Sequence, residues 1–287
     1  MSARSKFFSS GELRLHYREH GSENAEALVL LHGGMDHCRN WDFIAPVLAR
    51  RWKVICPDLR GHGDSNADPS GIYEIDRYVL DLARLVDHAG LSKVRLVGHS
   101  LGGNIAIRYA SAFPERVERL VAIEGLGPAP DKLEERERVP PGRRLREWID
   151  ERQAIERRVP RDYASVEEAT ARMSAQFPSF APELVRHLTI HGLRLSAPGM
   201  WRWKFDNRVR GEGPFELGKA EREALWAAIE CPTFLIYGAE SWASDPAKDG
   251  RAAHFRDAMV VMHEGAGHWV HHDRCEPFLA DLLTQLD

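Results

Sequence analysis

The chain has 287 residues, 43% of them hydrophobic and 29% charged, long enough to bury a sizeable core without disulfide or metal staples. Lysine and arginine number 39 against 43 aspartates and glutamates, a formal charge of −4, which argues against a nucleic-acid partner or an anionic membrane surface. No apolar run approaches the ~20 residues of a membrane span. The first ten residues lack the apolar stretch of a secretory signal, and Cys38, Cys56, Cys231 and Cys275 form no C-x-x-C pair, so a cytoplasmic globular protein is expected.

In chain order, Leu13-Arg-Leu-His-Tyr-Arg18 alternates like a half-buried strand. Ala27–Leu31 is a short continuous apolar run ending at His32-Gly33-Gly34, and Trp52–Cys56 is another, closed by Pro57-Asp58 and Gly61-His-Gly63. Tyr78 to Ala89 places Val79, Leu82, Leu85 and Val86 on one helical face, and Val94–Val97 is a third short run, closed by Gly98. Such runs bounded by glycine are what strands buried on both faces look like. From Gly127 to about Ala220 strand-like runs vanish, charges of both signs crowd Asp131 to Arg158, and prolines cut the segment into short helices. The sheet pattern resumes at Pro232–Gly238 and Ala258–Met262, before an amphipathic helix at Glu276–Leu286. The reading is an α/β core made of 1–126 and 221–287, with 127–220 a helical cap inserted into it rather than an independent domain.

Gly98-His99-Ser100-Leu101-Gly102 is a G-x-S-x-G motif between a buried strand and a helix beginning near Gly103. A serine at such an elbow is held in a strained backbone that pushes its hydroxyl out of the sheet, and the flanking glycines let strand and helix approach closely. With His32-Gly33-Gly34, Asp58-Leu-Arg-Gly-His-Gly-Asp-Ser65 and Gly265-Ala-Gly-His268 in this order, nearly the whole chain resembles the α/β-hydrolase superfamily. The cap phrase Trp201-Arg-Trp-Lys-Phe-Asp206 is similar to its serine-hydrolase-like branch. The resemblance implies a mostly parallel eight-stranded sheet with helices on both faces. It also implies that Ser100 is the nucleophile and that the backbone N–H groups of Gly34 and Leu101 form an oxyanion hole. His32, Asp58 and Arg60 are expected to hold loops rather than to react.

A serine needs a neighbouring base. Among fourteen histidines, His268 follows the last core strand and the Gly265-Ala-Gly267 turn, where the family places its catalytic histidine. His263, His268, His271 and His272 with Asp273 fit no H-E-x-x-H spacing, so no metal is expected. The acid departs from the common pattern. Most members of the family carry an aspartate three residues after the glycine ending the penultimate core strand, and here that position, counted from Gly238, holds Ser241. Glu240, Asp245 and Glu124 are the possible replacements, and a serine–histidine dyad without an acid is the remaining alternative. Glu124, at the end of Val121-Ala-Ile-Glu, resembles the acid of haloalkane dehalogenases, and a carboxylate ending an apolar strand needs a partner. Glu124 is therefore the preferred acid.

The expected function is a cofactor-independent serine hydrolase acting on a small carboxylic ester. Carbon–carbon, amide or lactone hydrolysis on the same scaffold is the enzymatic alternative, and a catalytically inactive binding protein is the alternative from another class. Absence of an aspartate at the elbow disfavours dehalogenase and epoxide-hydrolase chemistry. Phe177, Phe180, Met200, Trp201, Trp203 and Phe205 supply either an apolar or aromatic pocket wall or the docking face of the cap.

Overall fold

A computed structural model describes residues 3–211 and 213–287; Met1 and Ser2 of the expected core and Glu212 of the expected cap lie outside the described residues. The sheet is built from β1 (Arg4–Ser10), β2 (Leu13–His20), β3 (Ala27–Leu31), β4 (Lys53–Pro57), β5 (Val94–His99), β6 (Val117–Ile123), and, after a long excursion, two further strands, Thr233–Gly238 and Ala258–His263. Within the excursion lies a separate hairpin, β7 (Leu193–Ala197) with β8 (Met200–Trp203), so the two late core strands are β9 and β10. The eight core strands run in the order β1-β2-β4-β3-β5-β6-β9-β10. β1, β2 and β4 pair antiparallel, and every pairing from β4 to β10 is parallel.

The helices are α1 (Ala45–Leu48), α2 (Ile75–His88), α3 (Leu101–Ala112), α4 (Pro130–Glu137), α5 (Pro141–Arg157), α6 (Val166–Gln176), α7 (Pro182–Gly192), α8 (Lys219–Ala227), α9 (Val270–Asp273) and α10 (Cys275–Leu286). The apolar run of β3 shows why helices must cover both sheet faces. Val29 and Leu31 join a core with Leu82 and Leu85 of α2, Ile105 and Tyr109 of α3 and Trp226 of α8. Leu28 and Leu30 point the other way, into a core with Trp41, Leu48, Phe278 and Leu282. Successive side chains of a strand alternate faces, and each such leucine or valine withdrawn from water contributes about 1.5–3 kcal/mol.

Between β6 and α8 the chain makes α4 to α7 and the β7–β8 hairpin. The hairpin corrects the expectation that this segment has no strands. Its turn holds Gly199 at φ +77°, and β8 adds a backbone bridge to Tyr163, with both N–H···O distances 2.8 Å. Four of the five residues of β7 are exposed, so no buried apolar run advertises the strand. α5, which carries much of the mixed charge, has no buried residue, as a solvated helix should. Phe177 and Phe180 fasten this region to the core by packing on Trp269, with ring centroids 4.8 and 5.7 Å away. No described helix is long and apolar enough to cross a membrane.

Candidate active site

The parallel strands end together along one edge of the sheet, where ligands of open α/β sheets bind. Gly34 follows β3, Ser100 follows β5, Glu124 follows β6, Ser241 follows β9 and His268 follows β10. Ser100 sits at φ +52°, ψ −114° as the residue before α3, and its N–H donates to Ile123 O at 2.8 Å. That left-handed φ is costly for a residue with a Cβ and persists only because the surrounding backbone imposes it. The neighbouring glycines show how tight the elbow is. A Cβ on Gly98 would stand 2.3 Å from Gly102 O, and one on Gly102 would stand 2.3 Å from Leu31 O.

Glu124 is likewise at positive φ, +49°, with its N–H bonded to Ile236 O at 3.0 Å. Its side chain is buried, and both oxygens are occupied. Oε1 accepts the Gly238 N–H at 3.0 Å, and Oε2 accepts the Ser241 hydroxyl at 2.6 Å and His268 Nδ1–H at 2.5 Å. A buried carboxylate with three donors is a satisfied one. With Nδ1 protonated toward Glu124, Nε2 is the ring nitrogen left with a lone pair. Among the described residues no hydrogen bond joins the Ser100 hydroxyl to His268, a bond that commonly tightens only when substrate binds.

The other two acid candidates stand apart from the imidazole. Glu240 is exposed, and its backbone N–H pairs with Ala266 O. Asp245 closes a turn, accepting the Ala247 N–H at 2.9 Å and pairing with Lys248 at 3.3 Å. Ser241 and Trp242 escaped the sequence reading. The signal for Ser241 was present in the missing aspartate, since a hydroxyl at that position donates to a carboxylate arriving from the next strand.

Around His268 the packing is aromatic. His99 lies 4.8 Å from its ring, Trp269 5.0 Å and Trp242 5.2 Å, centroid to centroid. Burial holds His99 well below the ordinary histidine range, so it is neutral, and its Nε2–H donates to His268 O at 2.9 Å. This bond anchors the backbone of His268 to the residue before Ser100.

The amides of Gly34 and Leu101 have no hydrogen-bond partner among the described residues; Leu101 opens α3, where first-turn amides lack an intrahelical acceptor. His32 braces this loop. Its Nδ1–H donates to Gly33 O at 2.7 Å, and its Nε2 accepts the Leu59 N–H at 3.1 Å. Asp58 is fully engaged with Cys38 N, Asp64 N and His16 Nδ1 at 2.6, 2.9 and 2.7 Å. Burial pushes its carboxyl up, but the His16 hydrogen bond and the nearby His32 outweigh that and hold it below its ordinary value. Arg60 clamps Asp81 with two bonds, at 2.6 and 2.7 Å. Next to Gly34, a small cavity of ≈ 40 Å³ opens, lined by Met35, Met173, Leu188, Trp203 and Phe205 with Asp36, His37 and Lys204. The aromatics of the expected cap thus divide: Trp203 and Phe205 line the cavity, Phe177 and Phe180 dock on Trp269, and Trp201 pairs with Tyr163.

The histidines near the end of the chain do not converge. His263 faces Asp281 at 3.3 Å, His271 donates to Asn40 Oδ1 at 2.8 Å, and His268 faces Glu124. Elsewhere His16, Cys38 and Asp58 hold donor atoms within 4.8 Å of one another, but the Asp58 oxygens are already taken by the bonds above.

An eight-stranded sheet with a serine at a strand-to-helix elbow defines a protein of the hydrolase type. Residues 26–274 match the family model described as alpha/beta hydrolase fold, and the chain belongs to that family. It is similar to a serine hydrolase-like protein of Dictyostelium discoideum, 26% identical over 91% of this chain and 75% of that one. An uncharacterized Mycobacterium tuberculosis protein is 37% identical over 105 residues, which is 37% of this chain and 30% of that one. Of solved structures, the thioesterase domain from the curacin biosynthetic pathway superposes with a TM-score of 0.83 at 23% identity, covering 99% and 100% of the two chains. An esterase of M. tuberculosis gives 0.75 at 24% identity, with 99% and 92% covered. At these identities the two structures show the shared fold.

Proposed function

We propose that this member of the family is a cofactor-independent serine hydrolase that cleaves a small carboxylic ester through an acyl-enzyme on Ser100. His268 Nε2 takes the proton as Ser100 Oγ attacks the carbonyl carbon. The amides of Gly34 and Leu101 hold the resulting oxyanion, and Glu124 orients the imidazole and stabilises its protonated form. Collapse of the tetrahedral intermediate breaks the C–O bond, and His268 returns the proton to the departing alcohol. Water, deprotonated by His268, then attacks the acyl-enzyme and frees Ser100.

The observation that carries this reading is the 2.5 Å bond from His268 to a buried Glu124 at the strand end adjoining the strained Ser100. A histidine held by a buried carboxylate near a serine at the elbow is the arrangement acyl transfer requires. Methionine, leucine, tryptophan and phenylalanine side chains line the small cavity beside Gly34, together with Asp36, His37 and Lys204, which supports a substrate with an apolar or aromatic part. The test is labelling with a fluorophosphonate and mapping of the modified residue, followed by a screen of p-nitrophenyl esters of increasing acyl length. Modification at Ser100 with turnover of short or medium esters is the expected result; an unmodified Ser100 would remove the reading.

A further inference from the structure

His268 stands among three rings of different exposure. His99 is buried, Trp269 is half-buried beneath Phe177 and Phe180, and Trp242 is 65% exposed. An indole left in water beside a buried glutamate–histidine pair calls for a reason, because a large apolar surface at a site is what ligands cover. Trp242 is not a loose tip. Its backbone is pinned on both sides, by the Ser241 hydroxyl that donates to Glu124 and accepts the Ala243 N–H at 3.2 Å, and by the burial of Ala243.

The chemistry supplies the reason. If His268 is the base of the acyl transfer proposed above, on which this inference rests, the departing alcohol oxygen must come within hydrogen-bond reach of Nε2, since Nδ1 is held by Glu124. The alcohol half of the ester must therefore pass beside the imidazole where protein does not already fill the space. Of the three rings around the imidazole, His99 is buried and Trp269 lies beneath Phe177 and Phe180, and Trp242 is the one exposed to solvent.

We infer that Trp242 is the platform for the leaving group, and that the alcohol released is aromatic, an aryl rather than an alkyl alcohol. A flat indole face gains from a flat partner the offset-stacking contribution that an alkyl chain does not supply. The exposed Glu240, two residues before Trp242, favours an uncharged ring over an anionic one.

Two acetate esters with leaving groups of closely matched acidity, 2-naphthyl and hexafluoroisopropyl, separate recognition of the ring from chemical reactivity. Trp242→Ala is expected to lower the ratio of kcat/KM for the naphthyl over the fluoroalkyl ester about tenfold, and Trp242→Phe to restore most of it. An unchanged ratio in Trp242→Ala overturns the assignment. A second measurement needs no turnover: in the Ser100→Ala background, equilibrium dialysis with 2-naphthol should show binding that weakens about tenfold on adding Trp242→Ala. Equal binding with and without the indole also overturns it. Failure of the hydrolase reading looks different, with neither ester cleaved and Ser100 unmodified by fluorophosphonate, and the dialysis still decides whether Trp242 holds an aryl ring.

Discussion

The Ser241 hydroxyl donates a 2.6 Å hydrogen bond to Glu124 Oε2, the same oxygen that accepts His268 Nδ1–H. Ser241 occupies the place where most of the family carries an aspartate, and Glu124 reaches the imidazole from the neighbouring strand. The carboxylate proposed as the acid is thus in contact with the residue at that place, and the hydroxyl helps to orient it.

This relationship predicts unequal costs of removing the three carboxylates. Glu124→Gln should lower kcat by about 10²- to 10⁴-fold, because a neutral amide neither fixes the tautomer nor stabilises imidazolium. Glu240→Gln and Asp245→Asn should stay within about threefold of the unmodified enzyme, and Ser241→Ala should fall between these limits. Steady-state kinetics on one p-nitrophenyl ester ranks all four; a Glu240→Gln loss larger than that of Glu124→Gln would reassign the acid.

Ser100→Ala should abolish measurable ester turnover while leaving the thermal unfolding midpoint close to that of the parent. Alanine keeps the Cβ that makes the positive φ costly, so the backbone strain is unchanged and any stability change should be small. Retention of most activity would exclude Ser100 as nucleophile.

The elbow glycines should be intolerant of a methyl group. Gly102→Ala places a Cβ 2.3 Å from Leu31 O, forcing α3 away from β3, and the expected loss is at least about 3 kcal/mol. Gly34→Ala, where no atom lies within 4 Å of an added Cβ, is the control and should leave the urea midpoint unchanged.

Two fully buried histidines make stability depend on pH. Burial depresses His32 to about 3 and His62 to about 4, against an ordinary value of 6.5. Between 6.5 and these values the unfolded chain takes up protons that the folded chain refuses, so stability is fully present above pH 6.5 and is lost as pH falls through that window. From pH 7 to pH 5 the pair should together cost on the order of 2 to 4 kcal/mol, read as a falling urea midpoint. A midpoint that does not fall over this range would contradict the neutral burial of both rings.

The predicted α/β architecture and the observed sheet agree because buried parallel strands need continuous apolar runs, and those runs stand plainly in Ala27–Leu31, Val94–Val97 and Pro232–Gly238. The hairpin at β7 and β8 was illegible, since β7 turns most of its side chains to solvent and its pairing is specified by the Gly199 turn and by contact with Tyr163. The cap aromatics carried no label either. Whether a phenylalanine docks or lines depends on what lies opposite it, and Trp269 is some ninety residues away from Phe177 and Phe180 in the chain.

By itself the sequence determined the elbow around Ser100, because a G-x-S-x-G turn between a strand and a helix is a local event encoded in adjacent residues. It also placed His268, through the glycine turn that precedes it. It offered three carboxylates as the acid and preferred Glu124, but the contact itself was out of its reach, since the order of strands in the sheet is not written locally. Only the tertiary structure set β6 between β5 and β9, bringing the end of β6 beside the ends of both neighbours. That adjacency is why Glu124 meets Ser241, and the loop after β10, the next strand out, brings His268 onto the same carboxylate and beside the exposed indole after Ser241.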